Sequence, residues 1–87
     1  MFIVPAVKEA LNRKNHKISL WRMLDMDLTR SIATRVFRNG EWRTVLIGTI
    51  DGRAFTAVTT ERDTSDVRAI SLRPASRKER QALAAIK

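Results

Sequence analysis

Ser31-Ile32-Ala33-Thr34-Arg35-Val36-Phe37-Arg38-Asn39-Gly40-Glu41-Trp42-Arg43-Thr44-Val45-Leu46-Ile47-Gly48 decides how this chain folds. Both flanks are rich in β-branched and aromatic residues, which suit a pleated, half-buried surface. Asn39-Gly40 between them is the pair that a two-residue hairpin turn demands, because both central residues there need positive φ. The stretch therefore reads as two antiparallel strands, 31–37 and 41–48.

Outward toward the C-terminus the same grammar repeats. Asp51-Gly52 marks a second tight hairpin and opens a third strand over 53–60. A polar turn at 61–66 leads to a fourth strand over 67–73, where Arg68, Ile70 and Leu72 alternate with their neighbours. Ser76-Arg77-Lys78-Glu79 is a capping box, serine at the N-cap and glutamate at N3. It starts a helix over 77–86 that turns Leu83 and Ile86 to the sheet.

Outward toward the N-terminus, Pro5 suits the first turn of a helix over 6–16, with Val7, Ala10 and Leu11 on one side. Ser19 is the N-cap of a short second helix from Leu20 to Leu24 or a little beyond. The expectation is an α+β fold: two N-terminal helices, a four-stranded antiparallel meander and a C-terminal helix, in one domain over 1–87.

Charge directs attention to partners. The chain has 87 residues and a formal net charge of +8, with a sequence pI near 11.4. Such a balance favours nucleic acid first, an acidic protein second and an anionic membrane third. Cysteine is absent, which excludes disulfides and thiolate metal sites. One histidine and scattered carboxylates offer no metal-ligand cluster, so neither metal nor cofactor is expected. No apolar run approaches the ~20 residues of a membrane span, and a cytoplasmic protein is the default expectation.

Several short motifs together resemble the BrnT family of type II toxin–antitoxin systems. Near the N-terminus Lys8, Asn12, His16, Ile18, Ser19 and Leu20 keep the family spacing. Gly40-Glu41-Trp42-Arg43, Gly48, Gly52-Arg53 and Thr60-Glu61-Arg62 follow in order. The closing pattern, the most specific, is Arg68, Ile70, Ser71, Arg73, Ala75, Ser76 and Glu79. The chain departs from the family in three places: Val4-Pro5-Ala6 stands for Trp-Asp-Pro, Lys17 for Gly, and Pro74 for a basic residue.

The resemblance implies a RelE-like ribonuclease fold that cuts mRNA, on the ribosome or as free single strand, without metal. It also implies an antitoxin with a DNA-binding domain, through which alone operator DNA would be met. Such cleavage needs the 2′-OH in line with the phosphate, an acceptor for its proton, and cations for the charge that develops. Arginine suits the last task because its guanidinium is planar, permanently charged and bidentate toward phosphate. The candidate catalytic residues are Arg43, Arg62, Arg68 and Arg73, with Glu61 and His16 for proton transfer. Each has a plainer reading: the arginines as solvated or ion-paired, Glu61 as an arginine's partner, His16 as a cap on the carbonyls that end its helix.

Lys8, Arg53, Arg77 and Trp42 are the candidate RNA contacts. Trp21 is assigned to the core, and Glu41 to a cross-strand ion pair. Leu20, Met23 and Leu24 either join the core or receive an antitoxin segment. The departures from the family motivate an alternative function, a catalytically silent BrnT-like binding protein that acts as corepressor subunit or inhibits a nucleic-acid-handling complex.

Overall fold

A computed structural model describes residues 1–61 and 66–86. In it α1 (Ala6–His16) follows a two-residue strand β1 (Phe2–Ile3). A 3-10 helix (Leu20–Asp25) leads into β2 (Asp27–Arg38), β3 (Glu41–Ile50), β4 (Arg53–Glu61) and β5 (Val67–Pro74), and α2 (Arg77–Ala84) closes the order. The strands lie side by side as β1-β5-β4-β3-β2.

Local chemistry accounts for the meander. Asn39 (φ 51°) and Gly40 (φ 77°) form the β2–β3 turn, and Asp51 (φ 51°) and Gly52 (φ 82°) the β3–β4 turn. Positive φ at both central residues matches the right-handed twist of the strands they join. Ser76 caps α2 by accepting from the Glu79 amide, while the Glu79 carboxylate accepts from the Ser76 amide.

Two parts of the expected architecture are corrected. Among the described residues the sheet has five strands and is mixed, because β1 pairs in parallel with β5 (Phe2 with Val67, Ile3 with Arg68). Pro5 disfavours helical conformation at Val4, so the residues before α1 run extended and reach the free edge of β5. The second N-terminal helix is a 3-10 helix; six residues are too few to sustain α-helix by propensity. Ser19 does cap it, accepting from the Trp21 amide, and Glu9 of α1 accepts from the Ser19 hydroxyl and the Leu20 amide.

The core lies on one face of the sheet. Ile50, Phe55, Ala57, Ala69 and Leu72 from β3 to β5 meet Leu20 and Met26, with Phe2, Ile18, Met23 and Leu46 packed around them. Of the 3-10 residues, Leu20 is fully buried and Leu24 exposed. Trp21 does not join the core; it is 51% exposed and meets Phe2 edge-on at 5.8 Å. Val7 and Leu11 are exposed too, because α1 docks through a polar side chain. Asn12, 4% exposed, donates to the carbonyl oxygens of Leu72 (2.8 Å) and Ile18 (2.9 Å) and accepts from the Leu72 amide (2.9 Å). It continues the edge pairing of β5 where β1 has ended.

Candidate functional site

Strand register builds the site. Arg43 of β3 pairs with Thr60 of β4, and Thr60 pairs with Arg68 of β5. Side chains alternate between faces along a strand, so Arg43 stands on the face opposite to Leu46 and the core, with Arg68 in the same row. Two strand spacings, roughly 10 Å, separate their backbones. The row opens into a hollow of about 320 Å³, lined also by Lys8, Glu41, Ile70 and the first turn of α1. Among the described residues three cations and one carboxylate thus border one hollow. Glu41 accepts from Arg43 at 3.2 Å, a pair within one strand. The Thr60 hydroxyl donates to the Trp42 carbonyl (2.9 Å) and locks the centre of the row. Arg68 makes no ion pair among the described residues.

The structure separates the other candidates from this row. Arg73, at the far end of β5, donates to both Glu79 carboxylate oxygens at 2.7 and 2.9 Å. That guanidinium, helped by the Ser76 amide, holds the Glu79 carboxyl down at about 2. Arg73 therefore fastens α2 to the sheet. His16, half-buried, lies at the other end of α1 from Lys8 and borders a different hollow, together with Arg53. Glu61 is exposed at the end of β4, and Arg77 is exposed on the first turn of α2. Arg62 lies outside the described residues. Trp42 stands on the core-side face of the sheet, 51% exposed, edge-on to Phe37 at 5.2 Å with Arg35 over its ring at 5.3 Å.

Sequence reasoning missed Thr60 as the pivot of the row and Asn12 as the pin of α1. A signal for Asn12 was present: Lys8, Asn12 and His16 recur every four residues and so share one helical face. Among the described residues no group of three or more His, Cys, Asp or Glu side chains is placed to hold a metal ion.

The family model for the ribonuclease toxin BrnT of type II toxin–antitoxin systems matches residues 6–79. The chain belongs to the BrnT ribonuclease toxin family. A solved structure, the ribonuclease toxin BrnT of Brucella abortus, superimposes with a TM-score of 0.63 at 20% identity, over 88% of this chain and 99% of that one. At that identity the likeness is one of fold. Comparison with curated proteins finds no match. Arg43, Thr60 and Arg68 all lie inside the segment matched to the BrnT family, as does the Asn12 pin.

Proposed function

We propose that the chain is an endoribonuclease toxin that cleaves mRNA at the Arg43–Arg68 row without a metal, and that an antitoxin neutralises it. The observation that carries this reading is the register Arg43–Thr60–Arg68, which gathers two arginines and Lys8 around one hollow. In the reaction the ribose 2′-oxygen forms a bond to phosphorus as the bond to the 5′-oxygen breaks. The products are a 2′,3′-cyclic phosphate and a 5′-hydroxyl end. Charge builds on the non-bridging oxygens, where Arg43 and Arg68 meet it from opposite sides. Donors already in place stabilise such charge most, because nothing reorganises during the step. Glu41 holds Arg43 in orientation and is the carboxylate lining the hollow that can accept the 2′-OH proton.

Messenger RNA, free or on the ribosome, is the proposed substrate, met in the cytoplasm. The antitoxin is a protein with a DNA-binding domain, and operator DNA is reached only through it. The RelE-like character of the active fold belongs to the same proposal.

A second reading draws on Pro5. It borders the hollow where the family carries aspartate, and a chain lacking that carboxylate fits a silent binding protein, a corepressor subunit or an inhibitor of a nucleic-acid-handling complex. Incubation of purified protein with mRNA in EDTA separates the two. The toxin reading predicts cyclic-phosphate ends on ordinary RNA and none on 2′-O-methylated RNA. RNA that is bound yet stays intact at every protein ratio leaves the binder.

A further inference from the structure

We propose that the hollow between the C-terminal end of α1 and the β3–β4 hairpin is a second RNA-phosphate subsite. In it Lys17 and Arg53 hold the backbone of the single strand whose scissile phosphate lies between Arg43 and Arg68. The identity of the strand rests on the ribonuclease reading above; the subsite rests on observations of its own.

The first is continuity. Lys8 and Ile70 border both the Arg43–Arg68 hollow and the next depression along α1. His16 borders that depression and a further hollow of about 310 Å³ beyond it. One seam therefore runs along α1 from its first turn past its last. Lys8 and Lys17 are separated along the helix by roughly 14 Å, a distance that takes several nucleotides to span, within the range of roughly 4–16 nucleotides for single-strand sites.

The second is charge. The far hollow holds Arg22, Asp51, Lys17 and Arg53. Arg22 donates to Asp51 (2.6 Å) and Asp25 (2.8 Å), so its one charge is shared by two carboxylates, and Lys17 and Arg53 tip the balance of the group to positive. Lys17 and Arg53 make no ion pair among the described residues; Arg53 lies over the Phe55 ring at 5.5 Å and is exposed. Their charge is available to an anion from solvent.

The third is backbone. Lys17 closes α1 in the left-handed conformation (φ 60°, ψ 28°), its amide donating to the Arg13 carbonyl. Glycine occupies this position in helices at no steric cost, and asparagine next best. A long β-carbon side chain there costs stability that a glycine would not. Residues held in such conformations gather at functional sites, and this one stands beside the other unpaired cation of the hollow.

Binding is measured with 2′-O-methyl RNA, which cannot be cleaved, so the readout does not depend on catalysis. A trinucleotide and an octamer are titrated against the labelled protein, following backbone amides by NMR and the octamer also by anisotropy across salt. The expected result is that the Lys17 and Arg53 amides shift with the octamer and stay still with the trinucleotide. Lys17→Gly and Arg53→Gln each weaken the octamer several-fold and lower the log–log salt slope by ~0.7. Lys78→Ala, on α2, leaves both unchanged. Lys17→Gly also melts at a higher temperature than wild type, which separates lost contact from lost fold.

Octamer affinity and slope equal to wild type in both variants would overturn the proposal. So would an octamer that moves only the Arg43–Arg68 row. Shifts at Lys17 and Arg53 from poly-glutamate but not from the octamer overturn it in favour of an acidic protein segment. An octamer bound as predicted by a wild type that cuts no RNA removes the nuclease reading and leaves the subsite standing.

Discussion

At the scale of single residues, similar side chains divide into those that hold the fold and those left free to act. Asn12 satisfies three backbone groups with one amide. Asn12→Ala orphans them at ~1–3 kcal/mol each, so urea unfolding should show a loss of about 3 kcal/mol or more. Arg68 and Arg73 look alike in the sequence, five residues apart on one strand, and neither spacing nor composition tells them apart. What divides them is Glu79, whose carboxylate both closes the capping box and reaches back to Arg73. The sequence made the first role legible and concealed the second, which depends on how α2 turns after Pro74.

Arg68→Ala is accordingly expected to lower cleavage by ~10²–10³ while leaving stability nearly unchanged, measured as single-turnover rate beside thermal melting. Glu79 supplies a pH signature. Its carboxyl is lowered from 4.5 to about 2, first by Arg73. A depressed carboxyl contributes stability that is complete above its unfolded value and is lost as pH falls from there toward about 2. The shift corresponds to ~3 kcal/mol at most, and screening at the part-exposed Arg73 leaves ~1–2 kcal/mol. Glu79→Gln should therefore be less stable than wild type at neutral pH and converge on it in acid denaturation.

At the scale of elements, legibility followed the range of the interaction. The two hairpins were readable because Asn39-Gly40 and Asp51-Gly52 fix their turns within two residues. Among the described residues a side chain at Gly40 meets no neighbour, so the strain there is one of backbone. Gly40→Val should cost about 1–2 kcal/mol for a β-carbon at positive φ, while Asn39→Gly should cost little, both read as shifts in melting temperature. β1 was not readable. Two residues show no period, and their partners on β5 are far away in sequence. Trp21 was assigned to the core because large apolar residues favour burial, and Val7 and Leu11 were read as one side of α1. The helix instead docks by Asn12 at the sheet's edge, and that placement leaves its apolar side outside.

At the scale of the whole molecule, a net charge of +8 pointed only toward a polyanionic partner. The fold converts that into a direction: the register brings Arg43 and Arg68 into one row, with Lys8 across from them. The row needed pairing across three strands and was therefore beyond reach from any one motif. The central claim is that this row cuts mRNA. The most direct measurement is induced expression of wild type beside an Arg43→Ala/Arg68→Ala variant, with growth recorded and mRNA ends mapped by primer extension. The account predicts arrest and new ends in the wild type alone. Absence of both in the wild type, or the same ends in the variant, with both proteins soluble, would contradict it.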